Sequence, residues 1–315
     1  MKPLFTIAIP AYKKTYLYEA IESCICQTYN NLEIVIVDDA SPDDLHLIVS
    51  SFSDSRIRYY RNRNNCGAIN VVDNWNICLS YADGDYIICM GDDDRLMPNC
   101  LEEYVRLMEK YPNLGVYHAW AEIIDEYSNF SSLQQPRPEY ECAFSVAWNR
   151  WNGRNKQFIG DFCYDVKLLR QDGGFYKLPM AWGSDDISAV RAAMHGGIAN
   201  TQVLCFQYRV NSQTITKTGN NKIKIEAILQ EKKWFENFIL TQEQDTVFNE
   251  IERKYLICLK NELHKYFFDK IRFEILLDLK IKPLEFFYWF RKAPKIEISR
   301  KIICVNMIRA IIGQR

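Results

Sequence analysis

The 315-residue chain has no apolar run approaching the ~20 residues that a membrane-spanning helix needs; runs such as Tyr86–Met90 are far shorter. It has no CxxC pair and no Cys/His cluster at zinc spacing, which removes the common structural zinc sites. No G-x-G-x-x-G follows the first strand-like run, where Pro10-Ala11-Tyr12 stands instead, so a dinucleotide oxidoreductase is disfavoured. Lys2 and Pro3 lead directly into that run without a small-residue cleavage site, and no secretory leader is expected. Internal repeats and low-complexity tracts are also missing. With 48% apolar and 25% charged residues, disorder is excluded as well.

What is present is uneven. Eleven cysteines, an odd number, sit mostly inside apolar runs, as Cys78, Cys89, Cys205 and Cys258 do. Reduced thiols there act as small core residues, and a cytoplasmic protein is expected. The net charge of −1 conceals a gradient: residues 253–315 carry fifteen Lys and Arg against six Asp and Glu, a net +9 that leaves −10 for the remainder. A basic tail on an acidic body suggests an anionic partner.

The first half alternates in period. Phe5–Pro10, Leu32–Val37, Ile57–Tyr60 and Tyr86–Met90 read as strands; Tyr16–Gln27, Leu45–Phe52, a stretch opened by Gly67 and Ala68, and Pro98–Lys110 read as helices. Strands separated by helices of about a dozen residues imply right-handed crossovers and a parallel sheet. Residues 115–209 are mixed, and from Lys222 onward the period is helical. The expected division is a catalytic domain at 1–217, with halves at 1–95 and 96–217, and a helical extension at 218–315.

In open parallel sheets, ligands bind beyond the carboxyl ends of the strands. The first strand runs into Pro10-Ala11-Tyr12, the second into Asp38-Asp39, and the fourth into Gly91-Asp92-Asp93-Asp94. Three adjacent carboxylates repel, and a Mg²⁺ or Mn²⁺ ion carrying phosphate oxygens would compensate them. Read alone, such a triplet is more often a solvated loop or a helix N-cap than a metal site, and Asp94 could cap the helix that follows.

The segments TIAIPAYKK, QTYNNLEIVIVDDASPDD, RIRYYRNRNNCGAINVVDNWN and ADGDYIICMGDDDRLMP together resemble the family 2 glycosyltransferases, inverting enzymes of the GT-A fold. The likeness is close over about the first 110 residues and looser to about Val210. It implies an α/β fold, a Rossmann-like, mostly parallel sheet flanked by helices, with a C-terminal helical extension. It also implies that Pro10, Ala11, Tyr12 and Asp39 hold the base and ribose of a nucleotide-sugar. Arg61 and the stretch from Asn65 to Gly67 match the same nucleotide side. In the family's DxD motif the leading position is here Gly91; Asp93 falls on the metal ligand, Asp92 lies toward the nucleotide, and Asp94 is a further metal candidate.

The reaction so implied is an in-line displacement at the anomeric carbon by an acceptor hydroxyl, with a carboxylate accepting its proton. Trp182-Gly183-Ser184-Asp185-Asp186 resembles the family's acidic pair at the acceptor site. The base is Asp185 or Asp186, with Asp185 preferred; alternatively both only line the first turn of a helix. Trp182 reads as a sugar platform or as core. His195 reads as structural. The family's late histidine, after a Tyr-Arg pair, is replaced by Asn211 or absent. Lys217 and Lys222 fall on an expected loop closing over the diphosphate.

The expected function is sugar transfer from a nucleotide-sugar, UDP-linked, to a glycan or lipid-linked glycan acceptor in cell-surface polysaccharide synthesis, with Mn²⁺ or Mg²⁺ and no nucleic-acid partner. The rivals are a non-catalytic nucleotide-sugar-binding paralogue and a glycoside hydrolase. In the tail, Ile298–Ile312 places Ile302, Val305, Ile308, Ile311 and Ile312 on one helical side. Residues 253–315 therefore suit the anionic inner face of the cell membrane, or packing on protein, including a second copy in a homo-oligomer.

Overall fold

The computed structural model describes residues 2–211, 220–245 and 247–313. The chain divides into two compact units, Met1–Lys177 with Ser184–Thr214, and Leu178–Gly183 with Ile215–Arg315.

The first unit is a sheet flanked by helices. Its strands are β1 (Phe5–Ala11), β2 (Leu32–Asp38), β3 (Ile57–Arg61), β4 (Tyr86–Cys89), β5 (Arg95–Leu96), β6 (Val116–Ile124), β7 (Phe130–Leu133), β8 (Tyr140–Glu141), β9 (Phe162–Asp165) and β10 (Ile198–Arg209). The helices between them are α1 (Leu17–Ile25), α2 (Leu45–Val49), α3 (Val71–Tyr81), α4 (Cys100–Lys110), α5 (Ala143–Trp151), α6 (Val166–Gln171) and α7 (Ser184–Ala193). The strand order is β3-β2-β1-β4-β9-β6-β10-β5, with β7 on β6 and β8 on β10. Strands β1, β2, β3 and β4 pair in parallel, as do β6 and β10, while β9 runs antiparallel between β4 and β6. Two reversals restore direction, so the end of β10 reaches the same edge as the end of β4. Register fixes that edge further: Ala11 pairs with Asp38, and Asp38 with Arg61.

The hydrophobic pattern explains these elements. In β1 and β2 nearly every side chain is buried, the mark of a strand covered on both faces. In α1, Leu17, Ala20, Ile21 and Cys24 form one inward stripe; Cys100, Leu101, Tyr104 and Leu107 do the same in α4.

Among the described residues the second unit holds Leu178–Gly183 and four α-helices, α8 (Asn221–Gln242), α9 (Glu250–Ile281), α10 (Phe286–Lys292) and α11 (Arg300–Ile311). Leu256, Leu259, Leu263, Phe267, Ile271, Ile275 and Leu279 form the buried stripe of α9. Asn249 caps α9, accepting from the Glu252 amide at 3.0 Å, while Glu252 accepts from the Asn249 amide at 2.9 Å. Trp289 is buried and donates from Nε1 to Asp278 Oδ2 at 2.7 Å. No helix among the described residues is long and apolar enough to cross a membrane. All eleven cysteines are free.

Candidate functional site

At the carboxyl edge of the sheet, the turn after β1 meets the acidic cluster after β4. Asp92 is buried, and its Oδ2 accepts from the backbone amides of Tyr12 and Lys13 at 2.7 and 2.6 Å. Asp93 Oδ2 accepts from Asn211 Nδ2 at 2.8 Å and lies 3.4 Å from Lys13 Nζ. Asp94 Oδ1 accepts from the Arg209 amide at 2.9 Å. The Arg209 side chain is fully buried; it donates to the Asp93 carbonyl at 2.8 Å and to Glu19 Oε2 at 2.8 Å, with its guanidinium 4.2 Å from the Tyr16 ring centre.

This packing leaves surplus negative charge. Burial, then the charge of Asp93, pushes Asp92 up to about 6, although the Lys13 cation and then the two amides pull it back in part. The same two causes hold Asp94 well above the usual carboxylate range. A Cβ on Gly91 would lie 3.0 Å from both Asp93 Oδ1 and Asp94 Oδ2, so those oxygens converge on one side. Among the described residues no group of three or more His, Cys, Asp or Glu side chains is placed to hold a metal ion. The donor set fits an open Mg²⁺ or Mn²⁺ site instead, in which one or two carboxylates share the ion with substrate phosphates.

The neighbouring turns are tied to one another. Asp39 donates its amide to the Ala11 carbonyl at 2.8 Å, and Ser41 Oγ donates to the Tyr12 carbonyl at 2.6 Å. The buried Asp39 carboxylate accepts from Asn62 Nδ2 at 2.8 Å and from the Cys66 amide at 2.9 Å, and Asn65 Nδ2 donates to the Asp39 carbonyl at 2.8 Å. Gly67, at φ 76° and ψ 160°, opens the short turn before α3; that region is essentially glycine-only. Asp38 is fully buried and accepts from Tyr59 and Arg61, whose Nη2 also donates to the Ser41 carbonyl at 2.8 Å. The Tyr12 ring itself is 44% exposed.

The acidic pair opens α7. Asp186 is buried and its Oδ1 accepts from Arg150 Nε at 2.8 Å and Gln157 Nε2 at 2.9 Å. Asp185 is half-buried beside it.

Thus Pro10, Ala11, Tyr12, Asp39, Asn65, Gly67 and Asp92–Asp94 share one edge of the sheet, and Asn211 stands beside Asp93. Lys13, Ser41, Asn62, Arg150 and Gln157 escaped the sequence reading. Lys13 had a visible signal, a cation directly after Pro-Ala-Tyr; the others depend on cross-strand placement. His195 follows α7, with Nε2 3.2 Å from Asp172. One expectation needs correction. Lys222 is not on a loop: it lies in the first turn of α8, paired with Glu285 at 2.7 Å and 4.0 Å from the Tyr288 ring centre. The Trp182 ring is half-buried, with the Lys224 ammonium 4.3 Å from its centre. Lys217 lies outside the described residues.

Residues 6–173 match the family described as "Glycosyl transferase family 2". The first curated relatives, uncharacterised glycosyltransferases of Rickettsia, are matched over 42% or less of their own length. The "UDP-Glc:alpha-D-GlcNAc-diphosphoundecaprenol beta-1,3-glucosyltransferase WfgD" of Escherichia coli is 33% identical over 224 residues, covering 70% of this chain and 83% of that protein. Among solved structures, S. aureus TarS in complex with UDP-GlcNAc aligns over 99% of this chain and 92% of its own, at TM-score 0.59 and 13% identity. The mannosyltransferase PcManGT from Pyrobaculum calidifontis, in complex with GDP-Man and Mn²⁺, aligns over 100% and 89%, at TM-score 0.54 and 16% identity. Both likenesses support the same GT-A-like α/β architecture.

Proposed function

The chain belongs to glycosyl transferase family 2, and on that premise we propose that it moves a sugar, with inversion, from a UDP-linked donor to a hydroxyl of a lipid-linked glycan during cell-surface polysaccharide synthesis. The observation that carries the reading is the Asp92–Asp94 cluster, with Asp92 and Asp94 buried and Asp93 half-buried, pressed against the Tyr12–Lys13 turn, where surplus carboxylate charge calls for a cation and its diphosphate. WfgD, a glucosyltransferase from UDP-glucose to an undecaprenol-linked diphosphate, and TarS, in complex with UDP-GlcNAc, support the donor and acceptor classes. The Mn²⁺ of PcManGT supports the metal.

In this reading the exposed Tyr12 ring and the Asp39 turn hold the nucleoside. Asp93, with Asp94, holds the divalent ion. When bound, that ion neutralises charge developing on the diphosphate leaving group. Asp185 accepts the acceptor hydroxyl proton as that oxygen bonds to the anomeric carbon and the bond to the diphosphate breaks. Asp186, held by Arg150 and Gln157, fixes the start of α7.

Asp93→Asn tests the assignment. Transfer should fall by at least about a hundredfold, since charge neutralisation on the leaving group amounts to several kcal/mol. Mn²⁺-dependent thermal stabilisation by UDP should disappear while the unliganded melting temperature stays within a few degrees. Unchanged Mn²⁺-dependent UDP affinity would remove Asp93 from the metal site.

A further inference from the structure

Helix α11 turns Ile303 and Asn306 inward; both are fully buried, and Asn306 Nδ2 donates to the Arg272 carbonyl at 2.8 Å. The opposite side carries Val305, Ile308, Ile311 and Ile312, which are 39%, 58%, 71% and 56% exposed. Together with exposed Cys304 they span an arc of about 120° at helical spacing. Lys301 lies within this arc, and Arg300 and Arg309 flank it. The apolar side that the sequence marks out is therefore turned away from the unit's own core. Just upstream, Ile281, Leu284 and Phe287 are 73%, 84% and 73% exposed, although Trp289 two residues on is buried. The residues that hold these helices together are distinct from those presented to solvent.

Charge identifies the occupant. Between Lys280 and Arg309 there are eight Lys and Arg but only two acids, Glu285 and Glu297. Both acids are engaged by cations of α8, Glu285 by Lys222 and Glu297 by Lys232. Lys282, Arg291, Lys295, Arg300 and Lys301 remain on the surface around the apolar residues. A second copy would set one cationic face against another, which like-charge repulsion opposes. An interface of acyl chains beneath anionic headgroups matches both components, apolar side chains inserting and cations meeting phosphate.

We propose that residues 281–312 form a docking surface for an anionic phospholipid bilayer. The surface needs neither donor nor cation, so its test is independent of the catalytic assignments. The full chain is sedimented with vesicles of phosphatidylcholine alone or with 30% phosphatidylglycerol, at low and high salt. Binding should require phosphatidylglycerol and fall steeply with salt. The pairs Ile308→Asp/Ile312→Asp and Lys295→Glu/Lys301→Glu should each lower partitioning by about tenfold or more. All four positions are exposed, so circular dichroism and melting temperature should be unchanged. Equal recovery in the supernatant with both vesicle types, or binding indifferent to both pairs, would overturn the proposal. So would light scattering that shows a vesicle-free dimer lost in Ile308→Asp/Ile312→Asp, because the face would then join two copies.

Discussion

Asp186 gives one oxygen to both Arg150 and Gln157 in a buried setting, whereas its neighbour Asp185 is half-buried. That contrast separates two residues the sequence left side by side. Asp185→Asn should lower kcat by about 10²–10⁴, the usual contribution of a general base, with donor KM nearly unchanged. Asp186→Ala should act on the fold instead, costing about 1–3 kcal/mol in urea unfolding because Arg150 and Gln157 lose a buried acceptor. A reversed pattern would exchange the roles. At this scale the candidate site was legible wherever chemistry announces itself in adjacent residues, as in Asp92–Asp94 or Pro10-Ala11-Tyr12. It was illegible where one buried side chain answers another far away. Arg209 is marked in the sequence only as half of a Tyr-Arg pair, with no sign of its partners, yet it braces Asp93 and Asp94 across more than a hundred residues.

The elements of the first half were readable because their periods are clean and their ends carry turn residues. β1, β2, β3 and β4 match the strand-like runs within two residues. Helix ends shifted more: α2 stops at Val49, and Gly67 leads into a short 3-10 turn before α3 begins at Val71. The region 115–209 resisted reading because β7, β8 and β9 are only two to four residues long, too short to show alternation. Strand β10 pairs with three others, and its register shifts against β6. One element prediction concerns Gly67. Gly67→Ala should destabilise by about 1–3 kcal/mol, because its backbone angles lie where an L side chain is strained. UDP affinity should fall with it, since the Asp39 carboxylate accepts from the adjacent Cys66 amide; an unchanged denaturation midpoint would show that the turn relaxes freely.

Over the whole molecule, stability should depend on a buried histidine. His118 on β6 lies 3.4 Å from Asp161 Oδ2, but burial, then the Arg137 cation, lower it from 6.5 to about 4. The unfolded chain therefore takes up a proton that the folded chain refuses. Stability present above pH 6.5 is lost as pH falls toward 4, by about 2 kcal/mol at pH 5. Urea unfolding at pH 7 and pH 5 should show that component in the native chain and lack it in His118→Gln; equal pH sensitivity of both would refute it. A different consequence follows from the placement of Arg209 and Asn211 at the end of the last long strand. During synthesis the three aspartates leave the ribosome more than a hundred residues before Arg209 and Asn211, which engage Asp93 and Asp94. Until then Asp93 has only Lys13 as its partner among these groups, and water must solvate what the Arg209 amide later binds on Asp94. The acidic edge of the sheet is thus encoded first and finished late, and a chain stalled before residue 209 would own β1, β2, β3 and β4 without the groups that brace Asp93 and Asp94.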